Sequence, residues 1–278
     1  MKNAVQLKSV IKNIAKEKGI APQAILQNYM LERLLERISK SSYQDKFILK
    51  GGMLIAAMVG LDSRTTMDMD ATLKSMPLNE NTVNEALAEI LAIDLGDDII
   101  FEVKKVVHIR EDDVYGGYRV SLDAVFDTLH VALKIDLTTG DKITPKEIQY
   151  RFSLMFEDRK IDILAYNLES VLAEKYETIL RRSVLNTRMR DFYDIYILMN
   201  FQSQNIDAGI LTQAVNETAV NRESTRFIEE AVSRIAVIEK DSAIKNMWQL
   251  YQKDFPYASD VSWQEIVSAL HAVMKMIK

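Results

Sequence analysis

Two aspartates, Asp68 and Asp70, alternate with the apolar residues Met67, Met69 and Ala71, as in a β-strand with one polar and one apolar face. Side chains two positions apart on a strand point the same way, so the two carboxylates are expected roughly 6–7 Å apart. Met67, Met69 and Ala71 are expected to enter the core. Paired carboxylates are hard oxygen ligands, which suit Mg²⁺ or Mn²⁺ rather than zinc.

A pair of glycines, Gly51-Gly52, lies upstream of the aspartates, between a short strand predicted at Phe47–Lys50 and an apolar run of helical length at Met53–Val59. Glycine lets backbone N–H groups approach a phosphate closely, and the start of a helix is the positive end of its dipole. The pair therefore predicts a phosphate-binding turn.

A third carboxylate is expected from a later strand, in which Val131, Leu133, Ile135 and Leu137 alternate with polar residues. Asp136 lies on the polar face near the end of that strand, where it could ligate a metal and accept a proton from an attacking hydroxyl. A phosphate-binding turn followed by three carboxylates indicates metal-assisted phosphoryl or nucleotidyl transfer, in which metal ions hold the attacking and leaving oxygens.

A second group of chemically active residues follows at positions 174–194. Lys175 lies at the edge of the buried stripe of a predicted helix, a position suited to a triphosphate. Asp191 and Asp194 either pair with nearby arginines or hold Lys175 and a nucleotide in place. Residues 181–190 contain four arginines and no acid, which indicates either a solvated basic face or contacts to RNA phosphates, namely Arg181, Arg182, Arg188 and Arg190.

The elements that must position these residues fall into two blocks. Hydrophobic periodicity predicts helices and strands mixed up to about residue 160, and helices alone after residue 167. We therefore expect an α+β protein, with a nucleotide-binding core at 1–160 that includes N-terminal helices and an all-helical domain at 161–278. The core helices are expected at 4–18, 22–38, 53–59 and 80–92, and its strands at 47–50, 67–73, 99–109, 118–126 and 130–137; residues 145–165 have a mixed pattern.

Composition excludes several other classes of protein. The 278 residues include no cysteine, so disulfide frameworks, cysteine-ligated zinc and thiol nucleophiles are excluded. The net charge of −5 does not favour general binding of polyanions, so a nucleic-acid contact needs a local basic patch. Sequence motifs for a P-loop, a dinucleotide fold or a zinc protease are absent. Without a signal or a long apolar run, a cytoplasmic protein is expected.

The ordered set of motifs resembles the AbiEii family, the nucleotidyltransferase-like toxins of abortive-infection and type IV toxin–antitoxin systems, which act in phage defence. The resemblance runs from about residue 22 to about residue 200. It rests on Phe47-Ile48-Leu49-Lys50-Gly51-Gly52, Arg64-Thr65-Thr66-Met67-Asp68-Met69-Asp70, Lys134-Ile135-Asp136-Leu137-Thr138-Thr139-Gly140-Asp141, Ala173-Glu174-Lys175 and Arg188-Met189-Arg190-Asp191-Phe192-Tyr193-Asp194.

The resemblance implies a polymerase-β-like nucleotidyltransferase core, a mixed sheet with flanking helices, followed by a helical domain. It further implies a nucleoside triphosphate substrate with Mg²⁺ or Mn²⁺, an RNA acceptor such as the tRNA 3′ end, and an antitoxin encoded nearby. Met53 departs from the family, whose members often have a hydroxyl residue there. The matched positions are Asp68, Asp70 and Asp136 for metal, Lys50, Gly51, Gly52, Arg64, Thr66, Lys175 and Asp194 for nucleotide, and Asp191 with Lys175 for catalysis.

Two other functions remain open at this point. The same core could transfer a nucleotide to a hydroxyl of a small molecule or a protein, in which case the arginine segment would not be needed. Alternatively, the fold could serve as a non-catalytic module that binds a partner. In that case neither metal nor nucleotide would raise the melting temperature, since only ligands of the native state stabilise it.

Overall fold

The computed structural model describes residues 1–109 and 116–277; the end of the predicted helical domain, Lys278, lies outside them. The chain forms two compact units. The first comprises Met1–Asp141 and Ile148–Ala165, and the second comprises Lys142–Glu147 and Tyr166–Lys278. The sequence predicts one division near residue 160, whereas in the structure the first unit extends to Ala165 and the segment Lys142–Glu147 belongs to the second.

The first unit combines helices with a mixed β-sheet. Its strand order is β3-β4-β5-β2-β1-β7-β6 over the residues described, with β2 parallel to β5 and β1 parallel to β7. The other neighbouring strands are antiparallel. The elements are α1 (Ala4–Lys18), α2 (Pro22–Lys40), β1 (Phe47–Lys50), α3 (Gly51–Val59), β2 (Asp68–Leu73), α4 (Glu80–Leu91), β3 (Ile99–Ile109), β4 (Gly117–Phe126), β5 (Leu129–Thr138), β6 (Ile148–Ser153) and β7 (Lys160–Ala165).

The apolar face of the central strands follows the alternation of the sequence. Met69 and Ala71 of β2 are buried, as predicted, beside Ile135 and Leu137 of β5. The prediction for Met67 was wrong: its side chain is 50% exposed, because β2 begins only at Asp68. The apolar side chains at alternate positions therefore keep the aspartates on the opposite face.

Two elements of the first unit differ from the sequence prediction. Helix α3 begins at Gly51 rather than at Met53, so the glycine pair forms its first turn. Strands β6 and β7 lie in the region where the sequence pattern is mixed. Most residues of β6 are exposed, with Phe152 as its buried side chain, so the strand has little hydrophobic periodicity to reveal it.

The second unit is helical after Tyr166. Residues Trp248 and Trp263 contact Phe192 and Tyr193 within an aromatic cluster, and Trp248 is almost fully buried, as the sequence suggested. Among the described residues, no helix combines the length and the apolar character needed to span a bilayer. The helices are α5 (Leu168–Arg182), α6 (Met189–Gln202), α7 (Ala208–Asn221), α8 (Thr225–Glu229), α9 (Ala231–Lys240), α10 (Ser242–Asp254) and α11 (Trp263–Met276).

Candidate active site

Four charged residues form one row across four neighbouring strands of the sheet. The strand registers pair Lys50 of β1 with Asp70 of β2, Asp70 with Asp136 of β5, and Asp136 with Arg119 of β4. Residues paired directly across strands place their side chains on the same face. The row therefore carries two adjacent carboxylates with one basic residue on each side.

Asp68 lies on the same face as Asp70, at the beginning of β2. The hydroxyl of Thr66 donates a hydrogen bond of 2.8 Å to Asp68 Oδ1, and the backbone carbonyl of Thr66 accepts one of 2.6 Å from the Asn28 side chain. Arg64 and Thr66 are each 1% exposed, and the Arg64 guanidinium donates to the Thr65 carbonyl. The buried residues before β2 thus fix the direction of the first aspartate.

The two glycines are required by different neighbours. Gly51 has a φ of +67°, and a Cβ built on it would lie 2.8 Å from Asp70 Cγ and overlap the carboxylate. A Cβ on Gly52 would lie 2.8 Å from the Thr66 hydroxyl and 3.1 Å from Arg64 Nη2. No side chain caps the first turn of α3, which begins at Gly51. The start of this helix therefore packs directly against Asp70, with backbone N–H groups that an anion could accept.

Lys50, predicted to contact the nucleotide, is buried and bonded to a residue that the sequence reasoning did not select. Its Nζ lies 2.5 Å from Asp141 Oδ2, which also accepts hydrogen bonds from Thr72 (2.8 Å) and Thr138 (2.6 Å). Burial alone would raise the pKa of Asp141, but the Lys50 charge and these hydrogen bonds outweigh it and hold the pKa below its ordinary value. Asp141 is thus a buried anion that anchors Lys50.

Arg119 binds the third carboxylate at both oxygens. Its Nε lies 2.7 Å from Asp136 Oδ1 and its Nη2 lies 2.6 Å from Asp136 Oδ2. Hydrogen bonding to Asp136 raises the pKa of Arg119, and the charges of Asp136, Asp68 and Asp70 add to the increase. Arg119 therefore lies within electrostatic reach of all three predicted metal ligands.

The three carboxylates have the chemistry of a divalent-cation site but are not gathered around one point. Asp68, Asp70 and Asp136 share one face of two parallel strands and offer the hard oxygen ligands that Mg²⁺ and Mn²⁺ prefer. Nevertheless, the described part of the chain contains no cluster of three or more acidic or histidine side chains arranged to hold a metal. The donor set fits such a cation provided that Asp136 is released from Arg119.

The position of Arg119 could have been found from the sequence by counting. Strands β4 and β5 form a hairpin with Phe126 opposite Leu129, and its turn contains Asp127 in the left-handed conformation. From that turn, the antiparallel register places residue 119 opposite residue 136. The partners of Asp141 carry no comparable signal, because they come together through the chain that follows β5.

In the second unit, Lys175, Asp191 and Asp194 are in direct contact. Lys175 Nζ lies 2.7 Å from Asp191 Oδ1 and 2.8 Å from Asp194 Oδ2. Burial would lower the pKa of Lys175, but the charges of Asp194 and Asp191 and their hydrogen bonds raise it. The structure thus brings together the three residues that the sequence selected here, and the lysine stays charged.

The four arginines of residues 181–190 differ in their surroundings. Arg181 pairs with Glu177 at 2.9 Å and Arg188 with Asp191 at 3.0 Å, whereas Arg190 lies over the ring of Phe255. Arg182 is exposed, and its pKa is lowered by partial burial and then by the charges of Arg188 and Arg181. Three guanidinium groups, those of Arg181, Arg182 and Arg188, therefore lie close enough to repel one another.

Solved structures with the same fold are nucleotidyltransferases by their descriptions. MenT4, a nucleotidyltransferase toxin from Mycobacterium tuberculosis, is 13% identical with a TM-score of 0.55, covering 98% of this chain and 99% of its own. JHP933 from Helicobacter pylori is 15% identical with a TM-score of 0.51, covering 92% of this chain and 94% of its own. A second H. pylori protein, described as a putative nucleotidyltransferase, is 16% identical with a TM-score of 0.50, covering 93% and 96%. At these identities the likeness shows the fold alone.

No curated protein matches the chain significantly. A family model does: the model described as nucleotidyl transferase AbiEii toxin, type IV toxin–antitoxin system, matches residues 33–269, which include every residue of the two clusters. The resemblance of the sequence motifs is thereby confirmed, as is the α+β nucleotidyltransferase fold with helices at its C-terminal end. The chain belongs to the AbiEii family of nucleotidyltransferase toxins.

Proposed function

We propose that this chain is a metal-dependent nucleotidyltransferase toxin that transfers a nucleotide from a nucleoside triphosphate to an RNA acceptor such as the tRNA 3′ end. The observation that carries the proposal is the row of Asp70 and Asp136 beside the glycine pair, with Asp68 on the same face. Carboxylates of this kind next to an uncapped helix start suit a triphosphate with a divalent cation.

In this proposal Asp68, Asp70 and Asp136 hold Mg²⁺ or Mn²⁺. The cation, when bound, supplies charge neutralisation for the triphosphate and for the oxygens that attack and leave. The first turn of α3, at Gly51 and Gly52, binds phosphate oxygens through backbone N–H groups. The close packing of Gly51 against Asp70 supports this arrangement, because it places phosphate donors and carboxylates at the same point of the sheet.

The proposed reaction is an in-line displacement at the α-phosphorus. The acceptor hydroxyl oxygen forms a bond to that phosphorus, the bond to the bridging oxygen of the β-phosphate breaks, and pyrophosphate leaves. The hydroxyl proton passes to the Asp136 carboxylate, which acts as the general base. The products are the acceptor extended by one nucleotide and pyrophosphate.

The remaining site residues are assigned from the family motifs. We assign Lys175 to the triphosphate, with Asp191 and Asp194 keeping it charged and oriented, a role that their contacts with its Nζ support. Arg64 and Thr66 are assigned to the nucleotide side of Asp68. Lys50 is assigned to the same side, although its bond to Asp141 gives it in addition a role in anchoring the end of β1.

The experiment is transfer of label from α-labelled nucleoside triphosphates to total tRNA in the presence of Mg²⁺. Asp68→Asn, Asp70→Asn and Asp136→Asn are each expected to lower the rate at least about 100-fold, because each removes charge from the site where the cation binds. Asp123→Asn is the matched control, since this aspartate lies on β4 of the same sheet and pairs with His130. Full activity in an Asp68→Asn or Asp70→Asn variant would remove the metal assignment.

The acceptor is tested in the same assay. Replacing Arg181, Arg182, Arg188 and Arg190 with glutamine together should abolish labelling of RNA, since arginines grip RNA phosphates. Transfer that needs a small-molecule or protein hydroxyl would survive this change and identify the alternative acceptor. A melting temperature that neither nucleotide nor Mg²⁺ raises, with no transfer to any acceptor, would instead favour a partner-binding module.

The toxin–antitoxin family to which the chain belongs also implies a protein partner. We propose that an antitoxin encoded nearby opposes the activity in the cell, and that the chain acts in the cytoplasm, where its RNA acceptor is found. Expression of wild-type protein without the neighbouring gene should therefore arrest growth, whereas the Asp70→Asn variant should not.

A further inference from the structure

The ion pair between Arg119 and Asp136 occupies both oxygens of the third carboxylate. The two hydrogen bonds, at 2.7 and 2.6 Å, run from Nε and Nη2 in the parallel fork geometry that arginine forms with carboxylates. The strand register places the two residues directly opposite each other, so the fork follows from the fold of the hairpin.

We propose that Arg119 is a positioning residue that closes Asp136 to cations in the resting protein and must release it before all three carboxylates can hold a divalent cation. This inference rests on the proposed function, because it needs Asp68, Asp70 and Asp136 to be the metal ligands.

The exposure of the pair fits a reversible contact. The side chain of Arg119 is 44% exposed, so water can take over its hydrogen bonds when it leaves. The other ion pair nearby, Lys50 with Asp141, is 7% and 10% exposed and is held by two threonine hydroxyls as well. Exposed ion pairs are weak, whereas breaking a buried one leaves an uncompensated charge. Of the two pairs, the one that involves a predicted metal ligand is therefore the one that can open cheaply.

The charges on this face explain why an arginine belongs there. Without a cation, three carboxylates share one face of β2 and β5, and Arg119 interacts electrostatically with all of them. A divalent cation at the same carboxylates would supply the same compensation more strongly. Arginine and cation therefore compete for Asp136, and loss of the arginine is expected to favour the cation.

The test measures Mn²⁺ binding directly, by the electron paramagnetic resonance signal of free Mn²⁺, without nucleotide or turnover. Arg119→Gln is expected to lower the Kd for Mn²⁺ roughly fivefold, the effect of removing one competing exposed ion pair. Lys134→Gln is the matched control: Lys134 is exposed, lies on β5 and pairs in register with Asp68, so it removes the same charge from the same face without touching Asp136 through a fork. Its Kd is expected to stay within about twofold of wild type.

A second measurement uses the wild-type protein alone. Release of Asp136 should make the Arg119 guanidinium more reactive toward phenylglyoxal when Mn²⁺ is added, as followed by peptide mass spectrometry. Arg151 is the internal reference, because it lies in β6 of the same unit and its carboxylate partner, Asp162, is 4.0 Å away and exposed. Faster modification of Arg119 with Mn²⁺, at an unchanged rate for Arg151, supports the inference.

Several results would overturn it. These are an Arg119→Gln Kd equal to or weaker than that of wild type, a Lys134→Gln Kd lowered as much as that of Arg119→Gln, or an Arg119 modification rate that Mn²⁺ leaves unchanged. Binding of Mn²⁺ to wild type with any of these outcomes removes only the role of Arg119. Failure of both wild type and Arg119→Gln to bind Mn²⁺ would remove the metal site itself, and with it the proposed function.

Discussion

At the scale of single residues, Gly51 and Asp70 must be considered together. The glycine is in the left-handed region at a φ of +67°, and its missing side chain leaves room for the Asp70 carboxylate. Any larger residue would meet both a backbone penalty and a steric one, and the second would act directly on a predicted metal ligand. The glycine pair thus contributes shape to the site in addition to backbone N–H groups.

Replacing Gly51 with alanine separates these two effects when it is compared with Gly19. Gly19 has a φ of +65° with nothing within 4 Å of its Cβ position, so Gly19→Ala meets the backbone penalty alone, about 1–2 kcal/mol. Gly51→Ala should cost more in the free energy of unfolding, measured by urea denaturation, because Asp70 must also shift. Nucleotide transfer should be lost in Gly51→Ala and kept in Gly19→Ala. Equal stability losses in the two variants would contradict the packing argument.

Sequence reasoning could reach the residues of the site but not their contacts. Alternation within β2 and β5 was sufficient to place Asp68, Asp70 and Asp136 on polar faces, because a strand's period of two depends on local sequence alone. The pairing of Asp136 with Arg119 depends on strand register, and the burial of Lys50 on Asp141 depends on how the chain turns after β5. These are long-range properties, which a local pattern does not contain.

At the scale of elements, α2 shows how a helix predicted from its apolar stripe can also bury charge. Glu32, Arg33 and Glu36 are each at most 3% exposed. Their partners come from the turn between β6 and β7: Arg33 pairs with Glu157 at 2.8 Å, and Arg159 donates to Glu36. The sequence gave no strand prediction for this region, so the ionic partners of the helix could not be predicted either.

Glu32 gives this helix a pH-dependent contribution to stability. Burial raises its pKa to about 7, which outweighs the lowering effects of the Arg33 charge and the Met155 N–H. The folded protein therefore binds this proton more tightly than the unfolded chain, whose glutamate pKa is near the ordinary value of 4.5. The contribution is fully present below the unfolded pKa and is lost as the pH rises through about 7.

The variant Glu32→Gln tests this contribution because glutamine cannot ionise. Between pH 5 and pH 8, the free energy of unfolding of Glu32→Gln relative to wild type should rise by as much as about 3 kcal/mol, the equivalent of the shift in pKa. Denaturant unfolding at the two pH values measures it. The exposed glutamate of α4, Glu85, supplies the control Glu85→Gln. A difference between Glu32→Gln and wild type that is constant with pH would contradict the assignment.

At the scale of the whole molecule, the net charge of −5 is an average over groups with opposite tasks. The first unit gathers three carboxylates on one face of its sheet, and the second unit carries the exposed arginines of residues 181–190. An acidic chain can therefore bind a polyanion locally. The match of the family model over residues 33–269, against identities of 13–16% to proteins of the same fold, shows how few positions the fold and the motifs require.

The central claim, that the chain transfers a nucleotide and not a phosphate, is tested most directly by the position of the label in the triphosphate. Wild-type protein is incubated with Mg²⁺, total tRNA and the same triphosphate labelled at either the α- or the γ-phosphorus. We predict that α-label enters the RNA, that γ-label appears only in pyrophosphate, and that Asp70→Asn abolishes both. Transfer of γ-label to the acceptor, or no transfer of α-label with any of the four triphosphates and either RNA or small-molecule acceptors, would contradict the account.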